Sequence, residues 1–422
     1  MPPKKPRYDA AKAVLATLPP PTGEPDDYWE KNLELDEKLR VLATLTNAFL
    51  ILTRDERWLG VLGFDEFAQQ VVKLKAPPFH RGEPGPWGDI DDSRTMIWLA
   101  QQYRVNLQHQ NLLRAVGAAA KENTFHPVRS YFDALKWDGT KRLAHWMHAY
   151  LGSEDNAYSS SAGTKFLIGA VARVMRPGCR MDNVLILEGE QGRWKSTALS
   201  VLAGAWFMDT PFTIGDKDAF LVIRGSLIVE LAELDGFSRV ESSRAKAFFS
   251  SATDTFVPKY VAWAIKVPRQ CVFTGTVNHG TYLRDTTGNR RYWPVKIQRA
   301  DVEALRRDRD QLWAEAVHLY REGARWWVEE DELEIFKLEQ ELRYVGDAYE
   351  DRIASYLIGK TMTTMEQILS DCLKLEISKW TRAEQTRVGE CLQALGWEKR
   401  RYSNGNRGYF YAPREREPGE EG

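Results

Sequence analysis

VLILEGEQGRWKSTALSVLA, residues 184–203, decides how the rest of this 422-residue chain is read. The run Val184 to Leu187 is apolar throughout and predicts a buried strand. Gly189 and Gly192 punctuate the loop that follows. Lys195, Ser196 and Thr197 then lead into a helical pattern with Leu199 and Leu202 on one face. Strand, glycine-bearing loop, Lys-Ser and helix is the layout of a phosphate-binding P-loop, and each part has a task in that chemistry. Backbone N–H groups of the loop and of the helix N-terminus face the phosphates. Lys195 supplies positive charge to the β- and γ-phosphates, and the Ser196 hydroxyl ligates Mg²⁺. One residue departs from the pattern G-x-x-x-x-G-K-[ST]: Trp194 stands where the second glycine belongs. If that position requires a positive φ, a tryptophan is strained there. Two readings of the departure stay open. In one, the indole crowds the phosphate path. In the other, the loop tolerates a Cβ, the indole turns away, and Gly192 supplies the close backbone approach. Taken alone, the stretch also fits a plain strand-to-helix turn that happens to carry Lys-Ser.

The sequence downstream bears on that choice. Leu227 to Val229 predicts a second buried strand, running into Glu230 and Glu233. An apolar strand ending in carboxylates at this distance has the layout of a Walker B element, in which one acid holds Mg²⁺ and a neighbour orients the attacking water. Solvated acids at a strand end give the same pattern. A third strand, Gln270 to Thr276, ends near Asn278, a polar tip suited to the γ-phosphate or its attacking water. Asn289, Arg290 and Arg291 then precede an apolar strand, a position suited either to an arginine finger or to surface salt bridges. Between the second and third strands lie Lys246 on a helix, then Lys259, Tyr260, Trp263 and Lys266 on a hairpin. Basic residues interleaved with aromatics fit a hairpin that follows a nucleic-acid backbone and stacks on bases, or an ordinary amphipathic hairpin.

Composition bounds the rest. Lys+Arg 58 against Asp+Glu 59 leaves a net charge of −1, so only local patches can argue for nucleic acid. The four cysteines, Cys179, Cys271, Cys372 and Cys391, are widely separated and lack metal-ligand spacing, which fits a reducing compartment. No apolar run is long enough to span a bilayer, and MPPKKPRYDA at the start lacks an apolar signal core; the expectation is a cytoplasmic protein.

The segments divide as follows. Residues 1–27, rich in Pro, Lys and Asp, predict a disordered arm. Residues 28–150 predict a mainly helical domain, with Leu39, Leu42, Leu45 and Phe49 at one helical spacing and Leu112, Val116 and Ala119 at another. Residues 151–325 form the α/β section and 326–360 a charged helical connector. Residues 361–412 predict a winged helix. In it Thr381 caps a helix with Glu384 three residues on, and Lys399, Arg400 and Arg401 pass through a turn at Asn404-Gly405 to Arg407. The exposed face of that helix, with Arg382, would enter a major groove, and the wing, with Lys399, Arg400, Arg401 and Arg407, would lie on phosphates. Winged helices also bind proteins, and both uses stay open. The tail 413–422 predicts disorder.

Three stretches carry a resemblance: NTFHPVRSYFDALKWDG from Asn123, IVELAEL from Ile228, and the pair QCVFTGTVN from Gln270 and TGNRRYWPV ending at Val295. The chain resembles the virulence-associated protein E family of phages and mobile elements, whose ATPase is similar to superfamily 3 helicases. The resemblance covers about residues 120–300. It implies an α/β P-loop NTPase core, AAA+-like, binding ATP and Mg²⁺ and working on DNA, single-stranded and also duplex, as a homo-oligomeric ring of six. By that resemblance Gly189, Gly192, Lys195 and Ser196 match the phosphate motif, and Trp194 and Thr197 share its loop. Glu233 matches the Walker B acid, with Ser196 its partner on Mg²⁺ and Glu230 a second acidic position. Asn278 matches the polar sensor. Arg290 and Arg291 match an arginine-finger pair that reaches a neighbour's ATP, and Lys246 and Lys259 fall in the DNA-facing segment. The expected function is an ATP-hydrolysing, helicase-like DNA translocase in replication of a phage or mobile element. The alternative is a DNA-binding initiation or interaction protein whose site binds nucleotide with little or no turnover; Trp194 keeps it open.

Overall fold

The computed structural model describes residues 29–214, 216, 218–231, 239–257, 264–278, 282–283, 289–344, 346–402 and 408–414, without the side chains of 239–243. The expectations for the arm 1–27, for Glu233, Lys259, Tyr260, Trp263, the Asn404-Gly405 turn and Arg407, and for most of the tail lie outside the described residues.

The N-terminal segment holds more than helices. β1 (Leu62–Asp65), β2 (Gln70–Lys73), β3 (Gly85–Pro86) and β4 (Thr124–Phe125) form one sheet in the order β3-β2-β1-β4. Helices Leu45–Arg54, Asp89–Tyr103 and His109–Lys121 accompany it. Strands of two to four residues are too short to show an alternation that separates them from helix, so the mainly helical reading of 28–150 missed this sheet. The first helix also starts later than the leucine spacing suggests. Thr44 caps it by accepting from the Asn47 N–H, and Asn47, Ala48, Ile51 and Leu52 form its buried face. Leu39, at φ 57°, stays outside the helix in solvent.

The core of this segment, built around Trp58, Trp98, Leu112 and Val116, ends at Ala120. From Val128 onward the side chains join a second core, with Phe132, Trp146, Phe166 and Leu185. The boundary read at residue 150 therefore moves back to the stretch between 120 and 128. His126 sits at that junction. It caps the helix Pro127–Ala134 by accepting the Arg129 N–H on Nδ1, while its Nε2 lies 2.7 Å from Gln270 Oε1. Burial holds its pKa below the usual histidine value.

The central sheet contains β5 (Val184–Glu188), β6 (Phe207–Met208), β7 (Ile228–Leu231), β10 (Val272–Val277) and β11 (Tyr292–Lys296). All its pairings are parallel, and the order is β11-β5-β10-β7-β6. Both faces are covered, which is why β5 reads as an unbroken apolar run. Leu185 and Leu187 enter the core shared with helices Ala157–Met175, Lys195–Ala203 and Val302–Arg321. Val184 and Ile186 enter the other core, with Phe249 and Phe273. Between β7 and β10 the helix Arg239–Ser250 leads to an antiparallel pair, β8 (Thr253–Phe256) and β9 (Ile265–Pro268). Arg269, basic in the sequence, is wholly buried and bound to Asp254 at 2.6 Å, so it braces this pair.

The stretch 326–360 is not a connector. Its helix Leu333–Glu341 places Phe336 in the central core, and Gln340 donates to the Tyr292 carbonyl at 3.0 Å. Arg343 then reaches Glu188, the last residue of β5, with Nη2 2.9 Å from Oε2. Tyr282 also donates to Glu188, at 2.8 Å. Burial and the adjacent carboxylate hold the Tyr282 phenol far above its usual pKa. Burial opposes the charge on Arg343, but hydrogen bonding to Glu188 and its charge outweigh that and raise the Arg343 pKa. Removing one partner of a buried pair strands the other. Arg343→Ala should therefore cost about 3–5 kcal/mol of unfolding free energy, read from urea titrations; a loss below about 1 kcal/mol would mean the pair behaves as a surface one.

The helix Glu350–Leu357 belongs to the C-terminal unit, where Ile353 and Leu357 share a core with Ile368, Leu369, Val388 and Leu392. Helix Arg382–Ala394 and the antiparallel pair β12 (Trp397–Arg401) and β13 (Tyr409–Pro413) complete it, and Thr363 bridges to Tyr411. Thr381 caps its helix by accepting from the Glu384 N–H. The full Thr-Gln capping box lies instead at Thr364 and Gln367.

Candidate nucleotide site

β5 has the sheet's order reversing around it: the chain leaves it for β6 and β7 on one side and returns to β11 on the other. In open parallel sheets the crevice for a ligand forms at such a point, beyond the carboxyl ends of the strands. Residues 189–194 occupy that crevice. Their backbone is fastened on both sides: Gly189 N–H donates to Val277 at 3.2 Å, and Ala300 N–H to Arg193 at 3.0 Å. Gly189 is required by space, since a Cβ there would come 2.8 Å from the Ile297 carbonyl oxygen. Gly192 is required by its φ of 82°.

Lys195 opens the helix Lys195–Ala203 and turns back over the loop. Its Nζ donates to the carbonyls of Gly189 and Glu190, the latter at 2.9 Å, and to Asn278 Oδ1 at 3.1 Å. Asn278 follows β10 directly and is exposed. Ser196 donates to Glu230 Oε1 at 2.7 Å, and Thr276 donates to the same oxygen at 2.7 Å. Glu230 is 6% exposed, and its other oxygen, Oε2, is buried with no hydrogen-bond partner among the described residues. A buried carboxylate oxygen left unpartnered is destabilising unless something fills the place. Thr197, next in the helix, is half-buried. The structure thus joins Lys195, Ser196, Glu230 and Asn278, and it brings Glu230 against Ser196. Thr276 was missed from sequence; its period-two placement on β10, one residue before the strand's end, was the available signal.

Trp194 settles one part of its own ambiguity. Its φ of 63° and ψ of 28° are left-handed, so the position does need what glycine supplies, and the loop has not relaxed around the Cβ. The expectation of a Cβ-tolerant conformation is corrected on that point. The indole is nonetheless half in solvent, at 50% exposure.

Arg290 and Arg291 lie at the opposite end of the strands from the loop, just before β11, the neighbour of β5. β11 pairs with β5 in register Tyr292 to Val184, so both arginines precede the strand while Lys195 follows the end of β5. A five-residue strand, about 17 Å at 3.3 Å per residue, separates them from the loop of the same subunit. The two arginines do not form an equivalent pair. Arg291 is engaged within the chain, with Nη2 3.1 Å from Ser250 Oγ and Nε 3.6 Å from Asp182, whereas Arg290 is exposed.

The basic residues also divide. Lys246 is half-buried on helix Arg239–Ser250, and Lys266 is exposed on β9. Arg382 is exposed at the start of its helix. On β12, Lys399 and Arg401 face solvent, whereas the alternation turns Arg400 the other way, onto Glu398 at 2.7 Å. Of the three basic residues there, only Lys399 and Arg401 are exposed on that face.

A family model for the virulence-associated protein E-like domain matches residues 132–345. The chain belongs to the virulence-associated protein E-like family. The matched span begins at Phe132, near the start of the central core, and ends beyond Arg343, so this family's domain includes the Glu188–Arg343 pair. Comparison with the curated proteins returns no match. Among solved structures, this family member is similar to the apo C-terminal region of NrS-1, at 12% identity and a TM-score of 0.45, over 83% of this chain and 95% of that one. A second apo form of that region matches at 12% identity and a TM-score of 0.43, over 84% and 96%. Among the described residues no helix is long and apolar enough to cross a membrane.

Proposed function

We propose that this chain is a magnesium-dependent P-loop ATPase that assembles as a ring and moves along DNA, serving replication of a phage or mobile element. The observation that carries the proposal is the buried Oε2 of Glu230, unpartnered among the described residues, on the carboxylate that the Ser196 hydroxyl, next to Lys195 in the chain, binds. Mg²⁺ takes few protein ligands and keeps water and phosphate oxygens, so one carboxylate and one hydroxyl suffice. Among the described residues no group of three or more His, Cys, Asp or Glu offers an all-protein metal cage.

In this reading Ser196 and Glu230 would hold Mg²⁺, which when bound neutralises charge on the β- and γ-phosphates. Lys195 exchanges its contacts with the Gly189 and Glu190 carbonyls for phosphate oxygens. The N–H groups of the helix's first turn face the same charge. Asn278, already tied to Lys195, is placed to bind the γ-phosphate or the attacking water, and Glu233 is the remaining candidate to orient that water. Arg290 serves a neighbour's site, since its own lies a strand length away.

Steady-state phosphate release, with and without single-stranded DNA, tests this. Wild type should turn over ATP, and Lys195→Ala should lose nucleotide binding and turnover together. Release by Lys195→Ala at the wild-type rate would end the assignment. A second reading, a site that binds ATP without hydrolysing it, is favoured by the left-handed Trp194; tight binding with no release in the same assay would select it.

The C-terminal unit has the helix–bridge–helix–helix–hairpin order of a winged helix, and we assign it to duplex DNA. Each cationic side chain withdrawn from a phosphate should reduce the slope of log affinity against log salt by about 0.9. Lys399→Ala with Arg401→Ala should flatten the slope by about 1.8. Arg400→Ala should change it far less, because Glu398 already holds that guanidinium. An unchanged slope in the double variant would make the unit a protein-binding module.

A further inference from the structure

The subunit alone does not account for Trp194. A bulky side chain occupies a left-handed position where glycine is free of strain, and half of its indole faces solvent. The left-handed backbone serves the loop, but the tryptophan side chain adds nothing there that glycine lacks, and its strain is not offset by burial within the chain. At the other end of strands β5 and β11, a groove beside Arg290 is lined by Arg180, Asp182, Trp327, Leu333 and Lys337. Trp327 is 47% exposed and Leu333 55%, so this groove also presents apolar surface to water.

The two features become neighbours if Arg290 acts on an adjoining subunit. Its guanidinium must then approach the phosphate held by Lys195, the residue next to Trp194. The groove beside Arg290 comes against the loop 189–194 at the same moment. We propose that Trp194 of each subunit docks into the groove formed by Trp327 and Leu333 of the adjoining copy, and so seats that copy's Arg290 on the shared site. The inference rests on the ring reading above. The contact is head-to-tail, using different surfaces of identical chains, as a closed ring requires. A large aromatic entering an apolar groove with a polar rim is the usual anatomy of an interface anchor. Fixed charge is largely paired within each face, Glu190 with Arg193 in the loop and Arg180 with Asp182 in the groove, so the apolar contact is what joins them.

Sedimentation velocity on the full chain with Mg²⁺ and a slowly hydrolysed ATP analogue tests the docking. Trp194→Gly and Leu333→Glu should each raise the concentration for half-assembly at least about tenfold. Leu333 lies far from the phosphate loop, so Leu333→Glu should bind a fluorescent ATP analogue as wild type does. Trp194→Cys mixed with Leu333→Cys should cross-link under mild oxidation, in the mixture and not in either alone. Wild-type assembly by both single variants, or an assembled mixture that gives no cross-link, overturns the docking and leaves the ATP assignment intact. A wild type that binds nucleotide and stays monomeric overturns it too. Equal nucleotide binding by Lys195→Ala and wild type would instead remove the ATP assignment, and the cross-link would then decide the docking alone.

Discussion

Glu230→Gln should reduce ATP hydrolysis at least about a hundredfold, or about 2.7 kcal/mol in the barrier, while the fold stays intact. The amide keeps an oxygen for the Ser196 and Thr276 hydroxyls, both 2.7 Å away, so those hydrogen bonds survive. What disappears is the negative charge at the buried oxygen that has no partner among the described residues. A hard divalent ion prefers an anionic oxygen, so the variant should need much more Mg²⁺ for half-maximal nucleotide binding. A magnesium titration monitored with a fluorescent ATP analogue measures this directly. Unchanged magnesium dependence and turnover would remove Glu230 from the metal site and leave Glu233 as the acid to test. The sequence offered both acids; Glu233 lies outside the described residues, and the fold places Glu230 within β7, with its Oε1 accepting from Ser196 and from Thr276 of β10.

Much of the site was legible because its signals are local. The apolar run Val184–Leu187, the glycines at 189 and 192, and Lys195-Ser196 occupy one continuous stretch. Backbone geometry there leaves few alternatives. Asn278 was legible for a similar reason, standing immediately past a clear strand. The Glu188–Arg343 pair was not, because its members lie far apart in sequence and neither belongs to a local pattern. The same gap misassigned 326–360. Helix Leu333–Glu341 is charged and looks solvated, and its attachment depends on a few residues, Phe336, Gln340 and the following Arg343, that meet the sheet only in three dimensions. Short strands hid the N-terminal sheet. Arg400 is a different case. The alternation of Trp397–Arg401 was available, and applying period two would have separated it from Lys399 and Arg401.

Arg290→Ala and Lys195→Ala should each be nearly inactive alone and regain activity when mixed. An arginine finger is worth roughly 10³-fold or more in rate, so the Arg290 variant should fall by at least that factor with its nucleotide affinity largely kept. The Lys195 variant fails for another reason, since it cannot hold the phosphates. In a ring assembled from equal parts, a working interface needs Lys195 from one subunit and Arg290 from the next. Random placement supplies that pairing at about a quarter of interfaces, so the mixture should recover hundreds of times the activity of either variant. Sheet geometry makes the result specific to a shared site, because a finger acting within its own subunit would have to cross about 17 Å. Arg291 provides the control. Its guanidinium is already held by Ser250 and Asp182, so Arg291→Ala should act chiefly on local stability, and its defect should not be relieved by mixing with Lys195→Ala. If the Arg290 and Lys195 variants co-assemble and stay inactive, the site is not shared; if Arg291→Ala is the variant that complements, the finger is Arg291 and its contacts here must break on assembly.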